Sequence, residues 1–183
     1  ADNWEVTVDE VLTNADQKLE VPWYDSRTDF KANVSINNWN LNNTVQDLSG
    51  LSRGWSVLGR KDQITELKGW SGLSGVTSME GMLKGQSRLE RVSITEANMP
   101  NLTSTANMFS GCTNLTEVDL SGWTGMESPA ITGMFTNAPA NINLTADNDA
   151  IGTAIKEEYE KNTSSVRKTM ENADVKSIGK HNI

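Results

Sequence analysis

Large apolar residues recur through the middle of the chain with a fixed step. Three pairs mark the repeat most clearly, Met82-Leu83, Met108-Phe109 and Met134-Phe135, and each pair lies 26 residues from the next. A period of about 20 to 50 residues is typical of a solenoid, in which each repeat buries its apolar side against its neighbour. The pattern therefore predicts a stack of repeats over residues 34–145.

Each repeat contains a short stretch in which apolar and polar residues alternate. Val92, Ser93 and Ile94 form one such stretch, and the same pattern recurs at residues 34–36, 118–120 and 142–144. Alternation with period two places the apolar residues on one face of a strand. Because every repeat returns to its starting point by the same path, we predict one short parallel strand per repeat.

The segment before each methionine shows a different spacing. In the first clear repeat, apolar residues at 76, 79, 82 and 83 fit one side of a helix, which predicts one short helix per repeat of about 26 residues. Gly85, Gly111 and Asn137 each lie three residues after the methionine. These residue types tolerate positive φ and commonly end helices.

The two ends of the chain depart from the repeat. Residues 4–8 and 19–23 alternate with period two, which predicts a β-rich cap over residues 1–33 that covers the open end of the stack. Residues 146–183 are rich in charge and form the predicted C-terminal cap and tail.

Within this tail we predict an amphipathic helix over residues 149–172. Its apolar positions fall on one side of a helix: Ile151, Ala154, Ile155, Tyr159, Val166, Met170 and Ala173. The half that ends at Tyr159 is expected to close the last repeat. Val166 and Met170 would then need a second partner, either a flank of this chain or a neighbouring subunit.

One repeat resembles a known family. Residues 108–123 read Met-Phe-Ser-Gly-Cys-Thr-Asn-Leu-Thr-Glu-Val-Asp-Leu-Ser-Gly-Trp. This is similar to the M-F-x-G-C-x-x-L-x-x-L-D-L-S-x-W repeat of the BspA-like leucine-rich-repeat surface proteins, found in mycoplasmas, lactobacilli and other host-associated bacteria and also in viruses. The resemblance covers residues 64–144, although the copies at Met82 and Met134 match only in part. It implies an α/β leucine-rich-repeat-like solenoid, surface display and adhesion to proteins or host matrix, and it supplies no catalytic residues.

Charge and composition narrow the possible partners. The net charge is -8 and no run of basic residues occurs, which argues against binding nucleic acid or an anionic membrane surface. No apolar stretch approaches the roughly 20 residues that cross a bilayer. We therefore expect neither a nucleic-acid partner nor membrane insertion.

The residues that could carry chemistry are few. Cys112 and His181 are the only cysteine and the only histidine, and Cys112 occupies a repeat position that suits a small buried residue. Asp147 and Asp149 lack the glycine and glutamate of a calcium loop, and we expect them to cap the following helix. We expect no enzymatic activity, no metal and no cofactor.

The polar residues beside the apolar strand positions form a predicted ladder on the outer face of the sheet. Its members are Ser35, Glu66, Lys68, Arg91, Ser93, Glu117, Asp119 and Asn143. The main hypothesis is a non-catalytic recognition module at the cell surface that binds a protein or glycan through this face. The alternative is a structural assembly protein at a virion surface, which docks on neighbouring subunits through Tyr159, Val166 and Met170.

Overall fold

Short alternating segments stack as the turns of a parallel β-solenoid, and each turn is called a rung below. The computed structural model describes residues 4–17, 32–49, 51–52 and 64–181, without the side chains of residues 170 and 173–181. The elements, in chain order, are β1 (Trp4–Val8), β2 (Val11–Leu12), β3 (Ala32–Ile36), β4 (Trp39–Asn40), β5 (Ile64–Leu67), β6 (Trp70–Ser71), β7 (Arg91–Ser93), β8 (Glu117–Asp119), β9 (Asn143–Thr145) and α1 (Ala150–His181).

Two parallel sheets run along the stack. The larger has the order β1-β3-β5-β7-β8-β9, and the smaller has the order β2-β4-β6. Val92 pairs with Val118, and Val118 pairs with Leu144, so equivalent residues of successive repeats stand side by side. The predicted solenoid with one short parallel strand per repeat is confirmed.

Rows of identical or similar side chains fill the space inside the rungs. Met82, Met108 and Met134 are fully buried, as the repeat predicted. Phe109 and Phe135 stack with their ring centroids 5.4 Å apart, and Trp39 and Trp70 stack at 5.3 Å nearer the N-terminus. Each repeat thus buries its apolar residues against the same residues of its neighbours.

The structure corrects the prediction of one short helix per repeat. Residues 80–85, 106–111 and 132–137 form successive hydrogen-bonded turns. The backbone N–H of Met108 donates to Thr105 O within its own segment, whereas the next N–H, of Phe109, donates to Met134 O in the next rung. A helix would use every N–H within its own segment. Because alternate N–H groups bond to the neighbouring rung, each segment forms turns rather than a helix.

The first two strands continue the sheets of the repeats. β1 pairs in parallel with β3, and β2 pairs in parallel with β4. Both sheets therefore extend into the region predicted as a separate N-terminal cap. The second predicted cap strand, residues 19–23, lies outside the described residues.

Helix α1 begins after Asp149. The Asp149 side chain accepts a hydrogen bond from the N–H of Gly152 at 2.8 Å, which is the capping role expected for it. The helix has 32 residues and is about 48 Å long, so it extends beyond the predicted end at residue 172. The polar stretch at residues 162–165 does not interrupt it, and the Thr163 hydroxyl donates back to Tyr159 O.

The start of α1 closes the last rung with side chains that replace a further rung. Glu158 Oε2 accepts from Gly133 N at 3.1 Å, and Asn162 Oδ1 accepts from Phe135 N at 3.0 Å. The ring of Tyr159 packs edge-on against Phe135 with centroids 5.1 Å apart. The helix therefore gives partners to the N–H groups of Gly133 and Phe135, which have no further rung to bond to.

Candidate binding face

The outer face of the six-stranded sheet collects most of the residues that the sequence singled out. Strand pairing aligns Ser35, Glu66, Arg91, Glu117 and Asn143 in one row, called the central row below. They point outward because their strand neighbours, such as Val92 and Val118, are buried in the core. Ser93 and Asp119 form a second row beside it, together with Thr145.

A cluster of ion pairs occupies the middle of the central row. Arg91 Nε lies 2.7 Å from Glu66 Oε2, and Lys68 Nζ lies 3.6 Å from Glu66 Oε1. The hydrogen bond from Arg91 lowers the pKa of the Glu66 carboxyl below its ordinary value of 4.5. The same bond raises the pKa of the Arg91 guanidinium. Glu66 is therefore neutralised by two cations.

Asp119 has a structural task that the sequence analysis did not assign to it. Its Oδ1 accepts hydrogen bonds from the backbone N–H of Ser121 at 3.0 Å and from the Ser121 hydroxyl at 2.7 Å. This contact holds the turn that follows β8, as aspartate side chains commonly do in turns. The Asp-x-Ser spacing was the signal that could have revealed it.

Glu117 differs from both of these carboxylates. Its side chain is exposed, between Arg91 on one neighbouring strand and Asn143 on the other. Within the described part of the chain its carboxylate has neither an ion pair nor a hydrogen bond. Glu117 is thus the carboxylate of the central row without a salt bridge, although its negative charge helps to raise the pKa of Arg91.

Two shallow depressions lie on this face. The first, of about 230 Å³, is lined by side chains of both rows and by Lys68. It includes six of the eight predicted ladder residues, all but Ser35 and Asn143, and adds Thr145. The strand alternation at residues 143–145 could have identified Thr145 as an outward residue.

The second depression, of about 420 Å³, shares Arg91 with the first and was not predicted. Arg88 lines it, and this side chain donates hydrogen bonds to Ala32 O and to Asn33 Oδ1. Asn33 in turn donates to Glu5 Oε1 at 2.7 Å. The contact of Arg88 spans more than fifty residues of sequence, so no local pattern could indicate it.

The structure does not join the three predicted assembly residues of the tail into one open surface. Tyr159 is 4% exposed, and its hydroxyl bonds to Ile142 N and Pro139 O. Val166 is 41% exposed, whereas the side chain of Met170 lies outside the described part of the helix. Tyr159 therefore belongs to the closed end of this chain, whereas Val166 is exposed and could contact a neighbour.

Cys112 and the possible metal-ligating side chains do not form a reactive site in the described part of the chain. Cys112 is buried, and its thiol donates to Leu83 O at 3.1 Å, which agrees with its interpretation as a small core residue. Across the described residues, no three His, Cys, Asp or Glu side chains gather as a metal site would require. Over the same residues, α1 is too polar to cross a membrane, and no other helix is present.

Comparison with known proteins yields one match. A family model described as DUF285, a Mycoplasma protein of unknown function, matches residues 55–174. This segment contains β5 to β9 and most of α1. No curated protein and no solved structure matches the chain.

Proposed function

The chain belongs to the DUF285 family, and we propose that it is a non-catalytic recognition module that binds a protein or glycan through the outer face of its six-stranded sheet. The partial resemblance of its repeats to BspA-like surface proteins supports display at a cell surface. Solenoids commonly use such continuous faces for binding, because side chains from successive rungs form one extended surface.

The observation that carries this proposal is the in-register central row. Charged side chains line both depressions beside it, among them Arg91, which the two depressions share. Most other large side chains of the repeats are committed to the buried rows of the core. The face offers many polar contacts over several rungs, which suits recognition of a macromolecule.

A steric test separates this face from the rest of the molecule. Ser93→Trp would place a bulky uncharged side chain in the first depression, whereas Thr132→Trp would add the same ring to an exposed turn. Wild type and both variants would be applied to immobilised extracellular-matrix proteins and to a glycan array. We expect at least one ligand whose binding falls about ten-fold or more with Ser93→Trp and stays unchanged with Thr132→Trp. Equal binding by both variants would exclude the sheet face.

The alternative of a structural assembly protein draws on a different observation. Helix α1 continues to His181, well past Thr163, the last buried position among its described side chains, and Val166 is exposed on this extension. Removal of residues 164–183 would keep the capping contacts of Glu158 and Asn162. If the extension mediates assembly, sedimentation should show concentration-dependent oligomers for the full chain and a folded monomer for the truncated chain. A full chain that is monomeric at every concentration would exclude this alternative.

A further inference from the structure

We propose that the free edge of β1 is a second interaction site, which binds an extended strand of a partner protein in which apolar side chains alternate with lysine or arginine. The site lies at the first rung, at the end of the six-stranded sheet opposite helix α1. It uses the backbone of the sheet edge, so it does not depend on the recognition function proposed for the outer face.

The first rung has backbone groups that face no neighbouring strand. In the described part of the chain, β1 is hydrogen-bonded on one side only, to β3. Val8 O accepts from Asn37 N at 2.9 Å, so Val8 directs its N–H and C=O toward β3. Successive residues of a strand direct these groups to opposite sides, so those of Glu5 and Thr7 point away from β3. A further strand would bond to them as β3 bonds to β1.

The apolar interior is incompletely covered at the same end. Strand pairing places Trp4, Val6 and Val8 beside fully buried residues of β3. Trp4 is nevertheless 66% exposed, and Val6 and Val8 are only partly buried. Leu12 in β2 is 54% exposed. The first rung therefore offers apolar side chains to a strand that has apolar side chains on its own inner face.

The charge of the first rung indicates which kind of strand fits this edge. Residues 4–17 contain no lysine or arginine and four carboxylates: Glu5, Asp9, Glu10 and Asp16. Glu5 and Asp9 accept hydrogen bonds from neutral side chains, those of Asn33 and Asn37. Arg88 lines the same depression as Glu5, but its guanidinium donates to oxygens of residues 32 and 33. The negative charge of this rung attracts a basic strand and repels the same edge of a second copy.

The two faces of the bound strand would meet different surroundings. Successive side chains of a strand point to opposite faces. Those beside Trp4 and Val6 would cover the interior and are expected to be apolar, whereas those beside Glu5 and Thr7 would lie on the outer face and are expected to be basic. In recognition by strand addition, main-chain hydrogen bonds supply affinity and alternate side chains supply specificity.

A matched pair of peptides tests the alternation. The probe is a fluorescent octapeptide of alternating valine and lysine, and its control has four valines followed by four lysines. Charge and composition are equal, but only the probe forms a strand with separate apolar and basic faces. We expect the probe to bind at least about ten-fold more tightly. Equal affinity, or no binding of the probe, would overturn the proposal.

N-methylation of the probe tests whether main-chain hydrogen bonds hold it. Methyl groups on the valine nitrogens block the donors of one edge of the peptide, and methyl groups on the lysine nitrogens block those of the other edge. One methylated form should bind at least about ten-fold more weakly, and the other should bind as the probe does, because only one edge faces β1. Equal affinities of the two forms would contradict strand addition.

A substitution in β1 tests the same contact from the side of the protein. Thr7→Pro removes an N–H that points away from β3, and proline is tolerated in an edge strand at such a position. Thr7→Ala removes the side chain but keeps the N–H. We expect Thr7→Pro to weaken binding of the probe about ten-fold and Thr7→Ala less than about two-fold.

Circular dichroism and thermal melts would verify that both variants are folded, and the methylated peptides give an independent answer if Thr7→Pro is not. Equal binding by the two folded variants would overturn the proposal. Sedimentation provides a further check on the occupant. A wild-type dimer that Thr7→Pro converts to a monomer would assign the edge to a second copy of this chain and exclude the basic strand.

Discussion

Residues with positive φ recur in register along the stack. Gly85, Gly111 and Asn137 have φ values of 78°, 75° and 60°, which confirms that their shared property is the left-handed backbone of the turn. An ideal Cβ at Gly111 would lie 3.5 Å from Gly85 Cα, so these turns also stack closely. Asparagine at the third position fits because it tolerates this conformation better than most residues.

Substitutions at two glycines can distinguish the cost of backbone strain from the cost of a steric clash between rungs. Gly69 and Gly85 have similar φ values, 71° and 78°, but a Cβ at Gly69 would lie 1.9 Å from Asn37 O, whereas a Cβ at Gly85 would meet no atom within 4 Å. We expect Gly85→Ala to lower the free energy of unfolding by about 1 kcal/mol, from backbone strain alone. Gly69→Ala should lower it by at least about 2 kcal/mol more, since the rungs must move apart. Urea denaturation would measure both, and similar losses would mean that the contact at Asn37 is easily relieved.

The ion pair of Glu66 predicts a specific dependence of stability on pH. The pKa of Glu66 is lowered in the folded state, so its contribution is fully present above its ordinary pKa of 4.5 and is lost as the pH falls below that value. Because Arg91 is 43% exposed, we expect Glu66→Gln to cost only about 0.5 kcal/mol at pH 7. Urea melts at pH 7 and pH 3 should show that difference shrink at the lower pH. Glu80→Gln is the control, and a difference that persists at pH 3 would contradict the assignment.

At the scale of the elements, the buried rows should dominate stability. Met108→Ala and Phe109→Ala each remove a fully buried side chain that packs against two rungs, so each should cost about 2–5 kcal/mol. Ser93→Ala, on the outer face of β7, should change the free energy of unfolding by less than about 0.5 kcal/mol. Denaturant melts would rank the three variants. A larger loss for Ser93→Ala would contradict the assignment of the strand faces.

The same elements show how far the sequence could predict the fold. Alternation at residues 92–94 and 118–120 identified the strands, because period two has one structural meaning in so short a segment. The spacing of Val76, Met79 and Met82 was ambiguous, since steps of three residues bring side chains inward from a helix and from successive turns alike. Which of the two forms depends on hydrogen bonds between rungs, which lie 25 residues away along the chain.

The binding face was predicted to a similar degree. Pairing of equivalent strand positions placed five of the predicted residues in the central row. The sequence could not show that Arg91 forms its direct ion pair with Glu66 rather than with Glu117, because this depends on the side-chain conformation of Arg91. Glu158 and Asn162 also escaped prediction, since their partners are backbone N–H groups in a distant rung.

At the scale of the whole molecule, the hydrogen bonds between the last rung and helix α1 match the hydrogen bonds between successive rungs. Asn107 N donates to Thr132 O in the next rung, and one repeat later Gly133 N donates to Glu158 Oε2 on the helix. Likewise Phe109 N donates to Met134 O, whereas Phe135 N donates to the side chain of Asn162. The helix therefore offers acceptors in the places where another rung would offer carbonyl oxygens.

This equivalence predicts that one whole repeat can be removed. Deletion of residues 112–137 would join Gly111 to Ala138, so α1 would cap the rung of Asn107 and Phe109 instead. We expect a shorter, less stable chain that still unfolds cooperatively and keeps its helical circular dichroism signal. Deletion of residues 112–124, half a repeat, should prevent folding because the register of the remaining rungs is lost. Thermal melts of the two deletions would compare them, and equal disruption would mean that the cap recognises only its own rung.

A cap that imitates a rung makes the length of this protein adjustable in whole steps. Duplication or loss of a repeat within the gene leaves the contacts between the last rung and helix α1 unchanged. Each such event would lengthen or shorten the sheet by one strand spacing, about 4.8 Å, and would add or remove one set of outward side chains. The length of the sheet face and its pattern of charges can therefore change together, one repeat at a time. The capping contacts of α1 would not need to change.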